Sequence, residues 1–199
     1  LSATSGPVGT TVIATGSGYA PNSAFTVTFD SIAVAASAKG VGAVSGSTVH
    51  SDANGAFQFE LDVPAREGGD RKLAVGDTDA TFTITREVEL SADEDVTAGD
   101  TLTVTGTGFT STEDLMLGWT RAIGTNVFED VFLTQDATAF AGTGLRSDTN
   151  DTAGRFTDPR VAIVDGVQGG LIWAKAATSG RTFRAKTDGT FIVSFTVSD

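Results

Sequence analysis

Apolar and polar residues alternate with a period of two along much of this chain. Phe25-Thr26-Val27-Thr28-Phe29 places Phe25, Val27 and Phe29 on one face, and Phe57-Gln58-Phe59-Glu60-Leu61-Asp62-Val63 repeats the pattern before Pro64. Successive side chains of a strand point to opposite faces, so the alternation predicts half-buried strands. Proline cannot donate to a ladder, so Pro64 ends the second one. Thr10–Thr15 predicts another, with Val12 and Ala14 facing one way and Thr11, Ile13 and Thr15 the other. Weaker strands are expected around Ile32–Val34 and Thr48–His50, with a loose Ala/Gly/Ser-rich loop between them. Asp52-Ala53-Asn54-Gly55 reads as a turn, because Asn-Gly readily takes left-handed backbone geometry. Short strands at Lys72–Val75 and Ala80–Thr85 complete the set.

The chain then repeats itself. Gly9-Thr10-Thr11-Val12-Ile13-Ala14-Thr15-Gly16-Ser17-Gly18-Tyr19 matches Gly99-Asp100-Thr101-Leu102-Thr103-Val104-Thr105-Gly106-Thr107-Gly108-Phe109, 90 residues later. At the same offset Leu115, Leu117 and Trp119 replace Phe25, Val27 and Phe29. Register returns at the end, where Phe191, Val193, Phe195 and Val197 repeat Phe57, Phe59, Leu61 and Val63. The expected fold is all-β: two tandem immunoglobulin-like β-sandwich domains, residues 1–86 and 87–199. The second carries an insertion around 120–184 and lacks its last strands. Within the insertion, Val127–Thr134, Arg160–Val164 and Leu171–Lys175 read as strands. Arg86–Leu90 reads as a short, stiff junction. A sandwich without its last strands would expose an open edge, which a neighbouring molecule could fill by donating a strand.

The Gly-x-Gly-aromatic motif and its partners resemble the IPT/TIG-type immunoglobulin-like repeats of bacterial and archaeal cell-surface proteins. Gly6, Pro7, Gly16, Gly18, Asp52, Gly55, Phe57, Val63 and Pro64 carry the resemblance in the first copy. Gly99, Gly106, Gly108, Phe109, Asp188, Gly189, Phe191 and Val197 carry it in the second. It covers most of residues 1–85 but only the two ends of 88–199. It implies a sandwich fold and an extracellular or cell-surface setting, and it brings no catalytic residues.

Composition narrows the chemistry. The net charge is −12, which disfavours nucleic acid and anionic membranes as partners. No apolar run approaches the ~20 residues that span a bilayer, so membrane insertion is not expected. With no cysteine, disulfides and thiolate metal sites are excluded. His50 is the sole histidine. Beside Ser51 and Asp52 it invites a triad, but neighbours in a strand point apart and there is no Gly-x-Ser-x-Gly elbow. An enzyme is therefore not expected. Asp148, Asn150, Asp151 and Asp158 gather oxygen donors around Gly154, and Asp93, Glu94, Asp95 and Asp100 gather others. Such loops suit Ca²⁺ without matching an EF-hand, and they equally suit solvated acidic turns. Trp173 is a candidate stacking surface for glycans. The expectation is an extracellular structural protein, a self-assembling subunit of a cell-surface layer or filament. It would be a homo-oligomer or polymer, formed by strand donation between subunits. The alternative is a carbohydrate-binding or adhesive module of a larger secreted protein.

Overall fold

The computed structural model describes residues 1–91, 101–124, 127–131, 137–141, 143–146, 162–165, 171–176 and 182–196. The chain divides into two compact units, Leu1–Thr85 and Arg86–Asp199. The described residues are all-β with no helix, in several sheets whose arrangement is consistent with a β-sandwich.

The first unit holds β1 (Ser5–Gly6), β2 (Thr11–Gly16), β3 (Ala24–Phe29), β4 (Ile32–Ala33), β5 (Ser37–Ala38), β6 (Ala43–Ser45), β7 (Thr48–His50), β8 (Phe57–Asp62), β9 (Gly69–Val75) and β10 (Thr78–Ile84). One sheet runs β1-β10-β9-β3-β7-β6, with β4 beside β3; the other runs β2-β8-β5. The alternation seen in the sequence becomes the core. Val12, Ala14, Phe57, Phe59 and Leu61 come from the smaller sheet, and Val27, Phe29, Val49, Leu73, Val75, Phe82 and Ile84 from the larger. Each large side chain so buried stabilises the fold by roughly 1.5–3 kcal/mol. The loop expected between β4 and β7 contains β5 and β6. They are too short to show a period, yet β5 pairs Ser37 with Glu60 and Ala38 with Phe59, giving β8 a second neighbour.

The second unit holds β11 (Glu87–Leu90), β12 (Thr101–Thr107), β13 (Leu115–Gly124), β14 (Val127–Val131), β15 (Ala137–Ala141), β16 (Thr143–Arg146), β17 (Ala162–Asp165), β18 (Leu171–Ala176), β19 (Thr182–Arg184) and β20 (Phe191–Thr196). The stretch expected to be a connector is thus largely a strand. β11 pairs antiparallel with β12 from Glu87↔Thr107 to Leu90↔Val104.

Registers match at the strand positions the two units share. β12 meets β20 at Gly106↔Phe191 as β2 meets β8 at Gly16↔Phe57. β15 pairs Ala139 with Ser194 as β5 pairs Ser37 with Glu60. β16 pairs Thr143 with Arg184 as β6 pairs Ala43 with His50. β19 meets β13 at Leu115↔Phe183 as β7 meets β3 at Phe25↔Val49.

The remaining two positions overturn an expectation. In the first unit β9 lies antiparallel to β3 through Val27↔Val75, Thr28↔Ala74 and Phe29↔Leu73. In the second, β18 lies antiparallel to β13 through Leu117↔Ala174, Gly118↔Trp173 and Trp119↔Ile172. The side is also the same. β4 and β9 share Thr28 and Phe29 and so flank β3, while β14 and β18 share Trp119 and Thr120 and so flank β13. β17 then lies antiparallel to β18 as β10 lies to β9. The hairpin β17–β18 therefore fills the place of β9–β10 with strand directions preserved. Its chain order is reversed, and it is spliced between β16 and β19 instead of following β20. Among the described residues the edge expected to lie open in a second unit without its last strands is paired where it meets β13, because the insertion supplies the ladder partner that unpaired N–H and C=O groups require.

Both units turn on one corner. The Phe57 ring lies directly on the backbone of Gly16, and the Phe191 ring on Gly106, where a Cβ would come within 2.0–2.7 Å of ring carbons. Tyr19 meets Phe57 edge-on at 4.8 Å and 61°, and Phe109 meets Phe191 at 5.0 Å and 61°. Gly18 and Gly108 take φ of 81° and 71°, the left-handed bend that brings each aromatic back to the ring.

Gly16→Ala and Gly106→Ala should each destabilise their own unit by about 1–3 kcal/mol through overpacking, read as a lower urea midpoint. Replacing residues 147–181 with a short Gly-Ser turn should uncover β13 and make the chain self-associate in sedimentation velocity, under conditions where the intact chain does not.

Candidate functional site

The corner is closed from outside by a turn. Tyr19 N–H donates to Gly55 C=O at 3.0 Å, and Phe109 N–H to Gly189 C=O at 3.0 Å. Gly55 and Gly189 have φ of 74° and 77°. In the first unit the Asp52 carboxylate accepts from Asn54 N–H at 2.8 Å and Ala56 N–H at 2.9 Å. These backbone donors, Ala56 before Asn54, hold its carboxyl below the ordinary value. In the second unit Lys186 takes the Asp52 position and the carboxylate moves two residues on. Asp188 Oδ1 accepts from the Thr190 hydroxyl at 2.7 Å and the Thr190 N–H at 3.0 Å. Burial alone would raise the Asp188 carboxyl, but the Thr190 hydrogen bonds, helped by Lys186, bring it below the ordinary value.

His50, Ser51 and Asp52 form no relay. His50 is exposed at the end of β7, opposite Ala24. Ser51 is buried, with its hydroxyl donating to Ala20 C=O at 2.6 Å and accepting from Ser23 N–H at 3.1 Å. Asp52 is held by its turn. The second unit has Arg184, Ala185 and Lys186 at these three positions, and Arg184 pairs with Asp114 at 2.8 Å. Ser51 and Asp52 therefore hold the turn and strand end together, and the three residues are not aligned for proton transfer.

Asp148, Asn150, Asp151 and Asp158 lie outside the described residues, as do Asp93, Glu94, Asp95 and Asp100. Among the described residues no group of three His, Asp or Glu side chains is placed to hold a metal ion. Trp173 lies on β18, whose backbone is paired on both sides, to Gly118 and to Ile163. No helix among the described residues is long and apolar enough to cross a membrane.

One concavity was not foreseen from the sequence. A half-open groove of about 390 Å³ is lined by Thr11, Ala35, Ala36, Ser37, Glu60, Leu61 and Asp62. Its carboxylates are already engaged: Glu60 pairs with Lys39 at 2.7 Å, and Asp62 accepts from the Thr11 hydroxyl at 2.7 Å. The groove needs the short strand β5, which shows no period in the sequence. Compared with family models, curated proteins and solved structures, the chain matches none.

Asp52→Ala should lower the urea midpoint at neutral pH. The folded carboxyl sits below its unfolded value, so its contribution is present above that value and is lost as pH falls through the folded one. The gap between wild type and variant should therefore shrink as pH drops below about 4, measured by denaturation at a series of pH values.

Proposed function

We propose that this chain is an extracellular structural protein of tandem immunoglobulin-like β-sandwich domains. In this reading it is a self-assembling subunit of a cell-surface layer or filament, of the kind its IPT/TIG-like motifs suggest. The observation that carries the reading is the rebuilt frame. Two units reproduce the same strand positions and the same glycine–aromatic corner despite different connectivity. Conserving a frame while rearranging its chain path suits a module whose task is its shape. Ser51 and Asp52, the neighbours of the sole histidine, are engaged in holding a turn, as is Asp188 in the second unit. The acidic charge of −12 suits a solvated outer surface and not a polyanionic partner. Donation of a strand into the β13 edge is no part of this reading, since β18 fills it. Assembly would use other surfaces of the units.

The intact chain, concentrated with Ca²⁺ and separately with chelator, should form ordered polymers visible by negative-stain microscopy, with matching fast species in sedimentation velocity. A monomer under both conditions across the concentration range would overturn the assembly reading. Assembly only with Ca²⁺ would point to the acidic loops.

A further inference from the structure

The turn that closes the first corner carries a reactive dipeptide. Of the asparagines in the chain, Asn54 alone precedes a glycine. Glycine has no side chain to hinder its nitrogen, so in Asn-Gly the backbone most readily attacks the asparagine amide. Packing forbids any other residue at Gly55. Its φ is 74°, and a Cβ there would collide with the Tyr19 C=O. The residue before it is under no such constraint, since Asn54 is exposed. The second unit keeps the glycine, Gly189, and sets Asp188 before it.

The closed turn holds that reaction off. Gly55 is buried, and its N–H donates to Asp52 C=O at 3.1 Å, closing a β-turn over Asp52–Gly55. The nitrogen that would attack is thereby kept protonated and directed at a carbonyl oxygen. On one side of it Asn54 N–H donates to Asp52 Oδ1 at 2.8 Å, and on the other Gly55 C=O accepts from Tyr19 N–H at 3.0 Å. Attack requires the peptide plane between Asn54 and Gly55 to rotate until the nitrogen faces the Asn54 Cγ. That rotation breaks the Gly55 N–H bond and pulls on its two neighbours, so the reaction waits on opening of the turn.

We infer that Asn54-Gly55 is a self-modifying site that the closed turn keeps latent, and that its conversion leaves the corner unable to close as before. Once the turn opens, the Gly55 nitrogen bonds to Asn54 Cγ and the bond from Cγ to the amide nitrogen breaks. Ammonia leaves with the proton that the Gly55 nitrogen gives up, and a cyclic imide remains. Water then opens the ring. Attack at Cγ gives aspartate, and attack at the backbone carbonyl gives isoaspartate, whose main chain runs through the former side chain. The sum is one water consumed and one ammonia released, with no oxidant or reductant. Isoaspartate inserts an extra methylene into the turn, so Gly55 N–H no longer reaches Asp52 C=O while Gly55 C=O holds Tyr19 N–H. Either product also sets a carboxylate beside that of Asp52, which already takes the Asn54 and Ala56 N–H groups. The second unit accommodates a carboxylate here because Lys186 stands at the Asp52 position and the Thr190 hydroxyl donates to Asp188. Ala56, at the Thr190 position, has no hydroxyl to offer. The inference is independent of the assembly reading, since it needs only the turn of the first unit.

The test incubates the intact chain in mildly alkaline buffer, native and in guanidinium chloride above its unfolding midpoint. Peptide mapping by mass spectrometry follows aspartate and isoaspartate at residue 54. Conversion should be slower by about tenfold or more in the native chain, because it proceeds only through the open turn. Equal rates in the two conditions would overturn the inference. The isoaspartyl chain, separated by ion exchange through its added negative charge, should then exchange its Tyr19 amide about tenfold or more faster than the unmodified chain by NMR. Tyr19 protection unchanged in that chain would overturn the claim that conversion opens the corner. Asn54→Gln, which keeps an amide but closes the ring poorly, should resist conversion and retain Tyr19 protection. Loss of Tyr19 protection in this variant would also overturn the inference, since the corner would then depend on the asparagine side chain and not on the backbone of the turn.

Discussion

A phenylalanine ring resting on a bare glycine backbone sets the geometry of each unit. Phe57 on Gly16 and Phe191 on Gly106 each fill the space that a side chain at the glycine would need. The contact fixes register, because a slip of one residue would turn the ring to solvent and set another residue beneath it. It also fixes the next loop. Tyr19 and Phe109 can reach the ring only if the backbone bends through Gly18 and Gly108. Their N–H groups are then held by the Gly55 and Gly189 carbonyls of the following turn. Strand pairing, loop and turn are therefore tied at one point, and changing any one of them strains the other two.

Ladder satisfaction decides the rest. A central strand such as β3 or β13 must have a hydrogen-bonding neighbour on each side. The first unit meets this with β9–β10, downstream of β8, and the second with β17–β18, from within the chain between β16 and β19. The two solutions share register and direction but not connectivity. A ladder constrains which backbone atoms face each other and leaves open how the chain arrives there. Charge contributes less at this level. Lys72–Asp79 at 2.7 Å is an exposed surface pair, of the kind that water and salt screen to little net stabilisation. Arg86–Glu113 is more sheltered and acts locally, setting a guanidinium over Phe109.

The sequence by itself determined the strands with a clear period, their inward faces and the duplication. Val12, Ala14, Val27, Phe29, Phe57, Phe59 and Leu61 are buried as the alternation requires, because side-chain facing is a local property of extended backbone. Tertiary structure alone decided three things. β5 and β6 exist because β8 and β7 offer them open edges, and two or three residues carry no period of their own. Glu87–Leu90 became a strand because β12 presented a partner to a segment short enough to pass for a connector. The second unit closed with β17–β18, which reading strands in chain order could not foresee, since hydrogen bonds between strands depend on which edges meet in space and not on the order in which they are made.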